Sequence, residues 1–303
     1  MPVTAAVIDI GSNSLLLLTV AVDAPGRARA VDEALATTRL GSGLHVGGTL
    51  DAAARARTRG EIVALAARAR AAGARWTWAF GTAALRDAAD GAEFAREVGA
   101  AAGVPVELLS GEREAALAWA AVHAGLEVGS GALVVADVGG RTTDLTFSRG
   151  DELLATASVP LGALALTEMH AGEGERLGAE AERGLAKNEL LARARVEGAS
   201  LIVSGGTATA LAALDLRLGS YEPRRVHGHQ LTTIGLAALA TRRGALDPAR
   251  AAILPAGAVV LERIAATLGV ADFRVSDHGV RHAYLRAALA AEGVRADFRA
   301  LWS

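Results

Sequence analysis

The chain has no cysteine among its 303 residues. That excludes a disulfide framework, a thiolate-ligated metal and a thiol nucleophile. Aromatic residues are scarce at 4%. None of the four tryptophans, Trp76, Trp78, Trp119 and Trp302, is bracketed by basic residues in the manner of a base-stacking platform, and they read as core or edge packing. An excess of either charge is also missing. The formal net charge of −2 argues against a broad nucleic-acid surface and leaves room for a local anion pocket. Lys187 is the sole lysine, so arginine carries the other positive charge. The seven histidines show no HExxH or comparable metal spacing. His227 and His229 in "VHGHQ" stand two apart with no third ligand near and read as structural. The N-terminus "MPVTAAVIDIGS" lacks a basic n-region and a cleavage site, so no signal peptide is read. No run of about 18 apolar residues is seen, so no membrane span is expected. A soluble, cytoplasmic protein follows as the expectation.

What is present is ordinary globular material, 51% apolar and 21% charged. The length suits two domains of about 150 residues each. "VTAAVIDIGSNSLLLLTVAV" (3–22) reads as strand, turn, strand. Residues 51–72 have helical spacing and close on Gly73. "WTWAFGTAALRDA" reads as a strand, a Gly-Thr turn and a helix start. "PVELLSGEREAALAWAAVHAG" repeats that order. At residue 132 the opening theme returns: "ALVVADVGGRTTDLTF" mirrors "TAAVIDIGSNSLLLLTV", with Asp137 standing 128 residues after Asp9. This repeat predicts two similar α/β domains, 1–126 and 127–303, with a boundary in the Gly- and Ser-containing "LEVGSG". "ASLIVSGGTATALAAL" reads as strand, Gly-Gly-Thr turn and helix. "DPARAAILPAGAVVLERIAATLG" reads as helical, and "DFRVSDHGVRHAYLRAAL" as a last strand, turn and helix.

Several groups in this pattern suit anion chemistry. Asp9 at a strand end, followed by Gly11, Ser12, Asn13 and Ser14, offers a carboxylate for hydrated Mg²⁺ and N–H and hydroxyl groups for phosphate. An ordinary hairpin turn explains the same residues. The second copy, Asp137 with Gly139, Gly140, Thr142 and Thr143, favours the functional reading, because two unrelated hairpins have little reason to share it. Rossmann and P-loop readings fail, since those glycines must lead directly into a helix. Glu114, in a first helical turn after Ser110-Gly111, is placed to activate water. In isolation, the helix dipole explains Glu112 and Glu114 equally simply. Arg86 matches phosphate geometry but is one arginine of many. Gly205, Gly206 and Thr207 form either a phosphate turn at a helix N-terminus or a tight loop needing positive φ.

Together these segments resemble the exopolyphosphatase/guanosine pentaphosphate phosphatase (Ppx/GppA) family. The motifs that carry the resemblance are "VIDIGSNSLLLL", "FGTAALRDA", "LLSGEREAALAW", "VVADVGGRTTDLTF", "VPLGALALTE", "IVSGGTATALAAL", "ILPAGAVVLERI" and "VSDHGVRHAYL", in family order over nearly the whole chain. The resemblance implies an α/β fold: two ribonuclease-H-like domains of the actin/Hsp70/sugar-kinase superfamily flanking a central cleft, in a short form without the C-terminal helical domains of longer members. It implies release of terminal phosphate from polyphosphate, or of the 5′ γ-phosphate from pppGpp, with Mg²⁺ and often K⁺. A homodimer is compatible with it; no nucleic-acid or membrane partner is implied. On this reading Asp9 and Asp137 organise metal, joined by Asp144. Gly11–Asn13 and Gly139–Thr143 clamp phosphate, Arg86 and the Gly205–Thr207 turn bind it, and Glu114 positions or activates water.

Three positions depart from the family pattern. Arg141 stands where a third glycine is usual, supplying another guanidinium or partly sealing the site. Asp144 replaces a glutamate, one methylene longer, that helps hold metal. Arg113 replaces the first carboxylate of a Glu-Glu pair. These departures bear on rate and substrate rather than on the fold. A protein that binds polyphosphate or guanosine tetraphosphate without hydrolysing it is the second expectation. An ATP-dependent kinase or chaperone of the same superfamily fits "LSGEREA" and "VSDHGVRHAYL" less well.

Overall fold

The computed structural model describes residues 2–170, 174–242, 244, 246–299 and 301; Trp302 lies outside them. The chain divides into two compact units, one of Met1–Ser110 with Val280–Ser303 and one of Gly111–Gly279.

The first unit opens with β1 (Val3–Ile10), β2 (Ser14–Val22) and β3 (Ala28–Thr37), each antiparallel to the one before. Helix α1 (Ala52–Ala71) starts where the Asp51 carboxylate accepts the Ala54 amide at 2.8 Å, which satisfies an otherwise orphaned donor. Then come β4 (Trp76–Gly81), α2 (Ala83–Asp87), α3 (Gly91–Ala102) and β5 (Val106–Leu108). The sheet order is β3-β2-β1-β4-β5, with β1, β4 and β5 parallel. Ala6, Ile8 and Ile10 alternate along β1 toward a core shared with Ile62, Leu65, Phe94 and Val98 of α1 and α3, the period-two pattern of a sheet face.

The second unit begins with α4 (Gly111–Gly125), β6 (Ala132–Val138), β7 (Thr143–Arg149) and β8 (Glu152–Val159). Helices α5 (Ala163–His170), α6 (Gly174–Leu185) and α7 (Glu189–Val196) precede β9 (Ser200–Ser204) and α8 (Gly205–Asp215). There follow α9 (Pro223–Val226), β10 (Gln230–Thr232), α10 (Leu236–Ala240), α11 (Pro248–Leu268) and β11 (Asp272–Val275). This sheet runs β10-β11-β9-β6-β7-β8. Its β8-β7-β6-β9-β11 portion repeats the order and directions of the first sheet, the duplication expected from the repeat and the ribonuclease-H-like pattern that the family resemblance implied. Helix α12 (Val280–Ala291) then returns to the first unit, where Tyr284 packs on Phe80 with ring centroids 4.7 Å apart.

The division differs from the expected 126/127 boundary at both ends. Sequence continuity suggested that α4 would stay with the strand before it. Instead its Val122 packs with Leu133, Val135 and Ile202 of the second sheet. A second difference concerns α11, which by length and composition could cross a membrane. Ile264, Leu261, Val260 and Leu254 bury it in the second core. An all-round apolar helix is the signature of a core helix as much as of a span.

Candidate functional site

The two Asp-x-Gly turns fold alike. Gly11 donates to the Ser14 carbonyl at 3.1 Å, and Gly139 to that of Thr142 at 2.9 Å. The resemblance extends to the neighbouring crossover. The Thr82 hydroxyl donates to the Ile10 carbonyl at 3.4 Å, and the Thr207 hydroxyl to the Val138 carbonyl at 3.2 Å.

In the second unit the carbonyls of Gly139 and Gly140 accept from Ala163, Leu164 and Ala165, the opening amides of α5, at 2.8–3.0 Å. A trans peptide points its N–H opposite to its C=O. The N–H groups of Gly140 and Arg141 are therefore turned away from α5. Close approach makes this possible: any Cβ at Gly162 would overlap the Arg141 backbone. The first unit solves the same problem with a loop, where Thr38 and Arg39 donate to the Asn13 carbonyl and Gly41 to that of Ser12. Ser12, Asn13 and Ser14 are all buried.

The carboxylates gather on one face of the second sheet. Leu133, Val135 and Asp137 alternate toward the α4 side. Asp144 pairs with Asp137 across β6–β7, and Ser158 pairs with Asp144 across β7–β8, so the three stand in a row. Asp137 Oδ2 accepts the Ser204 hydroxyl at 2.9 Å. Gly205, at φ 84°, lies so near that a Cβ would overlap the Asp137 carboxylate. At the start of α4, a Cβ on Gly111 would meet the Ser158 side chain at 2.7 Å and Asp144 Oδ1 at 3.8 Å. Glu114, one turn on, shares that helix face and is 6% exposed. Glu114, Asp137 and Asp144 are thus brought to one region.

A divalent cation suits this chemistry. Two carboxylates paired directly across strands repel one another, and Asp144 is only 7% exposed; a hard cation with oxygen ligands relieves that repulsion. No group of three His, Asp or Glu side chains forms a ready-made metal cluster among the described residues. Asp9, on the first unit's sheet, lies beside Phe80 in the β1–β4 register.

Several groups expected to contact phosphate are engaged within the protein instead. Thr143 is fully buried and its hydroxyl donates to the Leu161 carbonyl at 2.5 Å. The Thr207 hydroxyl is committed to Val138. Each proton holds a turn in shape, which removes it from an anion. The N–H of Gly11, and likewise that of Gly139, is used within its own turn. Arg86 donates to the Leu109 carbonyl at 2.8 Å. Arg141 is 9% exposed, an unusual degree of burial for a guanidinium. Gly206 faces a residue the sequence did not single out: a Cβ there would overlap Nη1 of Arg250, whose amide is capped by Asp247 at 3.1 Å. Nothing local in "DPARAA" signals that approach. The structural reading of the histidines agrees with the geometry. His227 Nε2 pairs with the Gly125 carbonyl at 3.0 Å and its Nδ1 accepts the Asp277 amide. His229 pairs with Asp215 at 2.8 Å.

Comparison with known proteins adds an independent line. Residues 19–292 match the model of the Ppx/GppA phosphatase family. The chain is 28% identical over 304 residues to exopolyphosphatase 2 of Mycobacterium tuberculosis, covering 91% of this chain and 95% of that protein. It is 32% identical over 166 residues, 54% of this chain, to a guanosine-5′-triphosphate,3′-diphosphate pyrophosphatase of Vibrio cholerae. That match spans only 33% of the Vibrio protein's length. Among solved structures, the Aquifex aeolicus Ppx/GppA family member superposes with a TM-score of 0.75 at 25% identity, over 96% of this chain and 99% of that one.

Proposed function

Because this chain belongs to the Ppx/GppA phosphatase family, we propose that it hydrolyses the terminal phosphoanhydride of inorganic polyphosphate by metal-assisted attack of water. The observation that carries the reading is the meeting of Asp137, Asp144 and the Glu114 end of α4 beside the Gly139–Thr142 turn. The near full-length match to the Mycobacterium exopolyphosphatase supports polyphosphate as the substrate. The Vibrio relative makes pppGpp the alternative.

Phosphoryl transfer to water depends on positioning and charge neutralisation more than on covalent chemistry. Asp137 and Asp144 would hold Mg²⁺, with K⁺ as a further cation; Asp9 stands as a separate candidate metal ligand within the first unit. Bound there, Mg²⁺ would neutralise phosphate charge as it develops. The N–H groups of Gly140 and Arg141 would bind oxygens of the terminal phosphoryl group. Glu114 would accept a proton from water as its oxygen bonds to phosphorus and the bridging P–O bond breaks. The products are orthophosphate and a chain shorter by one unit. The buried Arg141 guanidinium gives the turn a fixed positive charge, which favours phosphate and also motivates the second reading, a binding protein without turnover. A homodimer and a cytoplasmic setting remain parts of this proposal.

The deciding assay is orthophosphate release from polyphosphate, pppGpp and ATP, with Mg²⁺ and K⁺ or with chelator. Chelator-sensitive release from polyphosphate is expected. Tight polyphosphate binding without release would replace the hydrolase by the binding protein, and faster release from pppGpp would change the substrate.

A further inference from the structure

Three hydroxyls around the Asp137–Asp144 face are spent on the fold. Thr143 donates to the Leu161 carbonyl, Thr207 to the Val138 carbonyl and Ser204 to the Asp137 carboxylate. Ser158 differs. It is exposed near the end of β8, and its hydroxyl forms no hydrogen bond to another described residue. It is nevertheless part of the same face. The β7–β8 register sets Ser158 directly opposite Asp144, and directly opposed residues of an antiparallel pair share a side of the sheet.

The start of α4 is fitted to this serine. A Cβ at Gly111 would lie 2.7 Å from Ser158 Cβ, 2.8 Å from Ser158 Oγ and 3.8 Å from Asp144 Oδ1. Glycine is a poor helix former, and Gly111 is not among the glycines with positive φ, so its backbone does not require one. Its place as the first residue of α4 follows instead from the close approach of Ser158. One turn on, Glu114 shares that helix face. An exposed hydroxyl thus borders the two nearly buried carboxylates of Glu114 and Asp144, all within the second unit.

We infer that Ser158 is a positioning residue for the attacking water. The inference rests on the hydrolase reading above and deepens it. A water that attacks phosphorus must present a lone pair to it while both of its protons are directed elsewhere. Glu114 takes one proton as the new P–O bond forms and the bridging P–O bond breaks. A hydroxyl accepts as well as donates, and Ser158 Oγ would accept a hydrogen bond from the second proton, which stays on the product phosphate. Two acceptors fix the orientation that one leaves free, and orientation is a large part of catalysis by positioning.

The test uses a matched pair: Ser158→Thr keeps the hydroxyl, and Ser158→Val has nearly the same shape without it. Both residues suit a strand. Each full-length variant is melted, its tripolyphosphate Kd is measured, and orthophosphate release with Mg²⁺ is followed. Ser158→Val should lose about three- to tenfold in kcat, the worth of one neutral hydrogen bond, with KM, Kd and melting temperature near wild type. Ser158→Thr should keep most of the rate. In a Glu114→Gln background, where no base remains for the water to be aligned with, the difference between the Thr and Val variants should shrink. Equal rates in the two variants, an undiminished difference in the Glu114→Gln background, or a change in Kd that accounts for the whole effect would each overturn the inference and leave the hydrolase reading in place. If wild type releases no phosphate from polyphosphate, pppGpp or ATP, the hydrolase reading falls and this inference falls with it.

Discussion

Asp137 and Asp144 face each other as direct partners across the β6–β7 ladder, both on the side of the sheet that α4 covers. Like charges so placed cost ~0.2–1 kcal/mol. In the absence of divalent cation, Asp144→Asn should therefore leave stability equal or raise it slightly. Added Mg²⁺ should raise the melting temperature of wild type more than that of the variant. Thermal melts with chelator and with Mg²⁺ check this; an equal Mg²⁺ response in both proteins would remove Asp144 from the metal site.

Glu114 is buried in the first turn of α4, on the helix face that meets Asp144. Glu114→Gln keeps its size and loses its basicity. Orthophosphate release should fall by roughly 10²–10⁴, the range of a general base, while the circular dichroism spectrum and melting temperature stay near wild type. Near-normal turnover would exclude Glu114 as the base.

Gly205 combines φ 84° with a position against the Asp137 carboxylate. Gly205→Ala adds a strained backbone to an overlap. It should destabilise by more than ~1 kcal/mol and, by displacing Asp137, reduce activity beyond what the stability loss explains. Urea unfolding alongside phosphate release tests both parts. Normal stability would show that the turn relaxes freely.

His227 bears on pH dependence. Burial holds its imidazolium below the usual 6.5, nearby Arg274 lowers it further, and the Gly125 carbonyl partly opposes them. The folded state thus refuses a proton that the unfolded chain accepts. Stability contributed by neutral His227 is complete above about pH 6.5 and is lost as pH falls toward the depressed folded value. The urea midpoint should be lower at about pH 5.5 than at about pH 7.5. That difference should shrink in His227→Gln, and an unchanged difference would assign the effect to other groups.

Much of the architecture was legible because hydrophobic period and turn chemistry are local. The 128-residue repeat from Asp9 to Asp137 became two sheets with matching strand order. Asp51 and Gly73 bracket α1 as caps do. The roles of single hydroxyls were not legible. Thr142 and Thr143 are adjacent and chemically identical in sequence, and only the nearness of the Leu161 carbonyl commits the Thr143 proton.

The sequence by itself determined two α/β halves, their duplicated Asp-x-Gly turns and the family, because those depend on periodicity and on residue types at short spacing. Tertiary structure alone decided which unit α4 and α12 join, and that Asp144 and the start of α4 reach the Asp137 face. It also decided that Arg250 lies over Gly206 and that Ser158 stands against Gly111. These outcomes rest on packing between segments far apart in the chain, where side-chain shape and unsatisfied backbone groups select the partner and no local pattern records the choice.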